Sequence, residues 1–252
     1  MTTKCLNCQQ KIDSQFCPHC GQESSTHRFS MKHFFIHVFV NGVFQLDKGF
    51  FYTLRELFVR PGHSIREYIE GKRTQHFNYF TFIILTITIG HLVGSVTDVR
   101  LIDTTLYFSG DSQSWGRFGE ITRENPKLFT MVRIPFLALV SFIVFNRSKQ
   151  NYTENLILNI YKVCGEIFLA IFFTLMAILF GDYLSLSAFS NLTALVTWAY
   201  SIWFYYQYFS VYGFSKGGLF IRSLLTTLVL ILVVATVTTF MIGVQEGFHD
   251  AR

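Results

Sequence analysis

The sequence contains several apolar runs nearly as long as a membrane-spanning helix, separated by short polar stretches. Half of the 252 residues are hydrophobic and only 15% are charged. A helix rises about 1.5 Å per residue and the hydrocarbon core of a bilayer is about 30 Å thick, so one crossing needs about 20 apolar residues. Runs of this length predict an all-α polytopic membrane protein.

Five segments fit this length, and the second is the least typical because it is short and contains Arg133 and Pro135. For this short segment to cross the bilayer, the Arg133 side chain must extend towards one membrane interface. The predicted spans are Tyr79–Val96, Phe129–Phe145, Leu156–Phe180, Ala188–Tyr208 and Leu219–Gly243. The sequence is therefore divided into a zinc ribbon at 1–26, an amphipathic connector at 27–77 and a five-helix membrane domain at 78–252.

Basic residues lie before the first predicted span and in every second connection after it, so that all of them fall on one side of the membrane, and this asymmetry predicts the orientation. They are Arg66, Lys72 and Arg73 before the first span, Arg147 and Lys149 after the second, and Lys216 and Arg222 around the turn before the fifth. Basic loops stay in the cytosol, so the N-terminus is expected there and the C-terminus outside. The start of the chain has no apolar signal region, which predicts that the N-terminus is retained.

Four of the five cysteines form two CxxC pairs near the N-terminus, Cys5 with Cys8 and Cys17 with Cys20. Two such turns place four thiolates around one point, the shell that Zn²⁺ prefers, and cytosolic cysteines remain thiols. A closed shell of four thiolates predicts structural zinc. The alternatives are His19 as a competing ligand and a redox-active CxxC pair, although the βαβ pattern that accompanies a redox pair is missing.

The connector has apolar residues at helical spacing, interrupted at Asn41-Gly42 and at Arg60-Pro61-Gly62. This pattern predicts two or three short amphipathic helices, the last of which ends at Gly71. The basic residues around that end, Arg66, Lys72 and Arg73, are candidates for contact with lipid headgroups or with a partner. The alternative is that they only anchor the cytosolic side of the first span.

Three ionisable residues fall inside predicted spans: Arg133, Lys162 and Glu166. Ionisable groups at membrane depth are candidates for a substrate or proton pathway, and the alternative is pairing within the helix bundle. Lys162 and Glu166 are four residues apart, so they can form a pair on one helix face. Familiar nucleophile, phosphate-loop and metalloprotease motifs are missing, which favours a non-enzymatic protein. An enzyme that acts on lipid at the cytosolic face through Glu154 and the nearby histidines is left as a third option.

The chain resembles a family of bacterial membrane proteins, domain of unknown function 3667. The resemblance covers most of the first half and implies an inner-membrane protein of unknown activity. It rests on the Cys5–Cys8 pair, Phe16-Cys17-Pro18-His19-Cys20-Gly21-Gln22, Leu46-Asp47-Lys48-Gly49-Phe50, Thr53-Leu54, Arg60-Pro61-Gly62, Arg66-Glu67-Tyr68-Ile69-Glu70-Gly71-Lys72-Arg73 and Tyr152-Thr153-Glu154-Asn155.

Two functions remain as hypotheses. The first is an inner-membrane adaptor or scaffold whose zinc ribbon and basic connector dock a cytosolic or membrane protein. The second is a small transporter or lipid-handling protein that uses Arg133, Lys162 and Glu166. Besides the lipid bilayer and this partner, a homo-oligomer is left open. Nucleic acid is not expected, because Lys4, Lys11 and Arg28 are too few to form a basic face.

Overall fold

The computed structural model describes residues 3–24, 28–31, 49–97, 126–180 and 186–229. Near the N-terminus, strands β1 (Thr3–Lys4) and β2 (Lys11–Ile12) pair antiparallel. The α-helices are α1 (Gly49–Val59), α2 (Pro61–Ile69), α3 (Tyr79–Thr97), α4 (Pro126–Val144), α5 (Tyr152–Phe180) and α6 (Leu186–Phe209). A 3₁₀ turn at Asn146–Ser148 precedes α5, and residues 216–229 are helical. The described part of the chain is therefore mostly helical, as predicted.

Two helices, α3 and α5, are long and apolar enough to cross a membrane. Within α4 the apolar helical stretch from Thr130 to Val144 is shorter. Helix α6 has 24 residues but is less apolar, since it contains three Ser and four Tyr. Helices thus occur at the first four predicted spans, although only two of them meet both conditions. The fifth prediction, Leu219–Gly243, is helical to residue 229, and its remainder lies outside the described residues.

Helix α5 begins one turn earlier than predicted because a reciprocal cap fixes its first turn. The Asn151 side chain accepts a hydrogen bond from the Glu154 backbone N–H at 2.8 Å, and the Glu154 carboxylate accepts one from the Asn151 N–H at 2.9 Å. Such a cap satisfies two backbone donors that a helix start otherwise leaves without partners. The helix therefore starts at Tyr152, before the predicted Leu156.

Helix α5 is the centre of the bundle and contacts α1, α2, α3, α4 and α6. Its Tyr161 is fully buried and donates a hydrogen bond to the Phe77 carbonyl at 2.6 Å, just before α3 begins. Gly165 allows α6 to approach, because a Cβ there would lie 2.1 Å from the Tyr200 hydroxyl. Groups on α5 thus determine how the start of α3 and helix α6 lie against it.

The connector helices α1 and α2 pack on the bundle. They are separated at Arg60, as predicted, whereas the break predicted at Asn41-Gly42 lies outside the described residues. Leu57 and Ile65 are fully buried, and α2 contacts both α5 and α6. Gly71 follows α2 with φ +119°, and the Lys72 N–H bonds to the Glu67 carbonyl at 2.9 Å, which confirms the predicted helix end.

The start of α2 lies against the backbone of α6 at Gly62. A Cβ at this position would lie 2.3 Å from the Tyr208 nitrogen and 2.6 Å from the Phe204 oxygen. Those atoms belong to a helix backbone and cannot rotate away as a side chain can. Gly62 is therefore the residue that permits this contact.

We expect Gly62→Ala to lower the free energy of unfolding by about 1–3 kcal/mol, the usual cost of overpacking. The matched control is Gly217→Ala, because nothing lies within 4 Å of a Cβ at Gly217. The measurement is thermal unfolding of both purified variants in detergent. An equal effect of the two substitutions would contradict the packing of α2 on α6.

Candidate metal centre and buried polar cluster

The two CxxC pairs lie in two turns of the same construction. In the first, the Cys5 N–H bonds to the Gln10 carbonyl at 2.8 Å and the Gln9 N–H bonds to the Cys5 carbonyl at 2.9 Å. In the second, Cys17, Gly21 and Gln22 repeat this pattern at 2.8 and 2.9 Å. Both turns need a residue in the left-handed region, Gln9 at φ 63° and Gly21 at φ 74°.

The two turns bring all four predicted metal ligands together. The Sγ atoms of Cys5 and Cys20 are 3.5 Å apart, as are those of Cys8 and Cys17. All four sulfur atoms lie within 4.8 Å of one another, so one metal ion can bind them all. Cys5 and Cys17 are buried with Ile12 in the small ribbon core. His19 is exposed and is not part of this group.

The ribbon is held on the chain segment that follows α2. The Gln22 side chain donates a hydrogen bond to the Gly71 carbonyl at 2.6 Å and accepts one from the Thr74 hydroxyl at 2.7 Å. It also accepts a hydrogen bond from the Arg73 backbone N–H at 3.3 Å. Leu6, which lies between Cys5 and Cys8, contacts Gly71 so closely that a Cβ there would be 2.7 Å from it. We call these contacts the Gln22 latch.

The two turns allow a paired test of the metal centre. A residue other than glycine in the left-handed region costs about 1 kcal/mol or more. Because a small metal ribbon folds as it binds its ion, this cost should appear in the metal affinity. We expect Gln9→Gly to raise the affinity for added Zn²⁺ about fivefold and Gly21→Ala to lower it by a similar factor.

The affinities are measured by competition with a chelating indicator. The Gly21→Ala result depends on the backbone alone, since nothing lies within 4 Å of its added Cβ. Unchanged affinities in both variants would contradict the two left-handed turns.

The three basic residues predicted to contact lipid headgroups or a partner have different neighbours in the structure. Arg66 donates hydrogen bonds to the Gln207 and Tyr208 carbonyls at 3.2 and 3.1 Å, and thereby neutralises the C-terminal end of α6. The Arg73 guanidinium lies 3.8 Å from the centre of the Phe29 ring. The Lys72 side chain is 46% exposed, compared with 12% for Arg66, and its Nζ lies 3.8 Å from a carboxylate oxygen of Glu67. Contact with lipid headgroups or a partner stays a prediction for all three residues.

The structure brings the three intramembrane candidates into one buried cluster. Glu166 pairs with Lys162 and with Arg133, whose Nη2 is 3.1 Å from the Glu166 carboxylate. The side chains of Arg133, Lys162 and Glu166 are 8%, 1% and 4% exposed. Two cations share one carboxylate, and the Arg133 Nε–H has no hydrogen-bond partner. A buried excess charge is costly and needs a compensating group.

Other polar residues, which were not predicted to belong to an intramembrane site, extend this cluster along α5. Asn159 donates a hydrogen bond to the Ser141 hydroxyl at 3.0 Å and accepts one from the Tyr205 hydroxyl at 2.6 Å. Asn155 accepts a hydrogen bond from Ser141 at 3.0 Å, and Ser201 donates one to Glu166 at 2.7 Å. The sequence does contain a pattern that indicates this cluster: the polar residues at positions 155, 159, 162 and 166 are spaced so that they lie on one face of a helix.

Glu154, the residue considered for lipid chemistry, has structural partners. Besides its role in the α5 cap, it accepts hydrogen bonds from Arg28 Nε at 2.5 Å and Arg28 Nη2 at 2.7 Å. Its side chain is 5% exposed. This paired carboxylate has no neighbouring nucleophile in the described contacts, and its position explains why α5 and the segment after the ribbon lie together.

A comparison with protein families finds one match, at residues 47–90, to the family described as protein of unknown function (DUF3667). The matched segment contains α1, α2 and the first part of α3. It confirms the resemblance noted in the sequence over these residues, whereas the two CxxC pairs and residues 152–155 lie outside the matched segment. Neither the curated proteins nor the solved structures that were searched contain a match.

Proposed function

We propose that this chain, whose residues 47–90 match the DUF3667 family model, is a non-enzymatic adaptor of the bacterial inner membrane. Its cytosolic zinc ribbon and connector dock a protein partner, and a bundle of five spans anchors them. The observation that carries the proposal is the Gln22 latch, because it joins a metal-dependent module to the helices of the connector.

The membrane location is supported by apolar side chains that point away from the bundle. Phe172, Leu175 and Leu179 on α5 and Leu92 on α3 are 53%, 44%, 68% and 58% exposed. Exposed apolar surface of this extent is normally covered by a membrane or a partner. The loop and connector cations then lie at the end of the bundle where α3 and α5 begin, which is the cytosolic end by the positive-inside rule.

Zinc is the metal that best suits the four cysteines. Zinc–thiolate bonds of about 2.3 Å in a tetrahedron place the sulfur atoms about 3.8 Å apart. The two measured Sγ–Sγ distances of 3.5 Å are close to this value. Four thiolates leave no open position for water or substrate, so the ion would have a structural role.

The partner would be recognised by the surface of the ribbon. Phe16 is 55% exposed although it directly precedes the ligand Cys17. An exposed aromatic side chain on a rigid module is a common anchor of protein interfaces. The latch holds this side chain in a fixed position relative to α2, as an adaptor requires.

The experiment is crosslinking in intact membranes followed by affinity purification and mass spectrometry of four proteins. They are the wild type, Cys17→Ser, Phe16→Ala and Gln15→Ala, the last a matched control at an exposed neighbouring position. We expect Cys17→Ser to lose both zinc and partner, and Phe16→Ala to lose the partner at least tenfold but keep one zinc per chain. Gln15→Ala should keep both.

Membrane insertion should be unchanged in all three variants, because the ribbon lies outside the predicted spans. A stoichiometric partner that is retained by both Cys17→Ser and Phe16→Ala would overturn docking through the ribbon. The recovery of only the protein itself would also count against the adaptor.

The excess positive charge of the buried cluster favours a second candidate, a transporter or lipid-handling protein for an anion. Lys162→Met separates this role from a structural one, because it leaves Arg133 and Glu166 as a balanced pair. If the cluster is only structural, stability should be unchanged or higher by about 1–4 kcal/mol. If it carries an anion, uptake of chloride or phosphate into proteoliposomes should fall at least tenfold. Thermal unfolding and flux are measured on the same preparation.

A further inference from the structure

Helix α1 has an exposed side that is mostly apolar. We call this side the outer face of α1, and its residues are Phe51, Arg55, Phe58 and Val59. They lie together because successive members are one helical turn apart or adjacent. The three apolar side chains are 74%, 38% and 56% exposed, and the one charged residue is a cation. The outer face is therefore apolar and basic, with no acid.

The other polar residues of α1 point into the protein. Thr53 is fully buried and accepts a hydrogen bond from the Phe77 backbone N–H at 2.8 Å. Glu56 is 4% exposed, and its carboxylate lies 2.5 Å from Arg60 Nε. A helix at a protein–water surface has the opposite arrangement, with its apolar residues inside and its polar residues outside. An exposed apolar surface of this kind is normally covered by a membrane or a partner.

Helix α1 crosses the bundle instead of running along it. At its first turn, the ring centre of Phe50 lies 6.2 Å from that of Phe168 on α5. At its last turn, the ring centre of Phe58 lies 6.2 Å from that of Tyr200 on α6. Tyr200 lies against Gly165 of α5, which precedes Phe168 by about 4.5 Å along the helix axis. The two ends of α1, about 12 Å apart along its own axis, are therefore at nearly the same level of the bundle.

This level is the border of the exposed apolar surface of the bundle. On α3, the ring of Phe82 contacts Phe50 of α1, and the first exposed residue of α3, Ile84, follows half a turn later. On α6, Trp203 is 37% exposed, and its ring centre lies 6.2 Å from that of Tyr200. Exposed tryptophans are typical of the membrane–water interface. The outer face of α1 thus continues the apolar surface of α3 and α6 at the end where the basic loops lie.

We propose that α1 lies in the plane of the cytosolic membrane interface and that phospholipid covers its outer face. Phe51, Phe58 and Val59 then lie among the upper acyl chains, at the depth of about 5–10 Å that is usual for such helices. Arg55 has no ion pair with any described residue, so its guanidinium is available to a lipid phosphate while its stem lies beside the acyl chains. The inference rests on the membrane location proposed above, but not on the docking of a partner.

Four exposed phenylalanines provide matched probes, because trifluoromethyl-phenylalanine can replace each of them in turn and keep the ring. Phe51 and Phe58 report on the outer face, Phe172 on the lipid-facing side of α5, and Phe16 on the ribbon. The full-length, metal-loaded protein is placed in nanodiscs of phosphatidylethanolamine and phosphatidylglycerol. Fluorine NMR then measures the relaxation caused by dissolved oxygen, which concentrates among acyl chains, and by a nickel chelate, which stays in water.

We expect the ratio of the oxygen effect to the nickel effect to be highest at Phe172 and lowest at Phe16. At Phe51 and Phe58 it should be lower than at Phe172 but about threefold or more above the value at Phe16. A ratio at Phe51 equal to that at Phe16 would overturn the inference, and so would protection from both probes, which would mean that protein covers the face. A low ratio at Phe172 as well would contradict the membrane location itself, so the two failures are distinguishable.

The role of Arg55 is tested by reversal of its charge. Arg55→Glu should lower the ratio at Phe51 by about half, because lipid phosphates repel a carboxylate. Lys216→Glu is the matched control, since Lys216 is exposed but lies on a different helix, and it should leave the ratio unchanged. Equal ratios in the two variants would contradict contact between the outer face and lipid. Phe16→Ala should give the wild-type ratio at Phe51, so a failure of partner docking leaves this result unaffected.

Discussion

The arrangement of the bundle depends on the need to satisfy the polar groups buried on α5. Each unsatisfied polar group in an apolar surrounding costs a few kcal/mol, and an unpaired charge costs more. Asn159, Lys162 and Glu166 reach Ser141 and Arg133 on α4 and Ser201 and Tyr205 on α6. A rotation of either neighbouring helix would leave several of these groups without partners. Apolar packing alone, which tolerates many arrangements, would not select this one.

Arginines fix the ends of the helices in a similar way. Arg66 bonds to the last carbonyls of α6, and Arg222 donates a hydrogen bond to the Val144 carbonyl at the end of α4 at 2.6 Å. A helix C-terminus carries partial negative charge and several free carbonyls, which a guanidinium can satisfy. Two of the basic residues from which the orientation is predicted therefore also stabilise helix ends in the fold.

The parts of the fold that depend on local sequence were predictable. The CxxC spacing located the four cysteines that can hold a metal ion, the break at Arg60-Pro61 separated α1 from α2, and Gly71 ended α2. The start of α5 at Tyr152 was also encoded in the sequence, by the Asn151 and Glu154 cap. The predicted span began later, at Leu156, because it was placed by the apolar run alone. Contacts between distant residues, such as Gln22 with Gly71 and Arg28 with Glu154, have no periodic signal and could not be read from one sequence.

The segment that matches the family model, residues 47–90, contacts the ribbon on one side and the helical bundle on the other. Within residues 47–90, Gly71 and Thr74 bind the ribbon through Gln22, and Phe77 accepts a hydrogen bond from Tyr161 of α5. Gly62, in the same segment, lies against the backbone of α6. A change in the ribbon, such as the gain or loss of a metal ion, would therefore act on the bundle through this segment and through the Arg28–Glu154 ion pair. The segment thus holds the cysteine ribbon at a fixed place on the helical bundle, which is the property that the proposed adaptor needs.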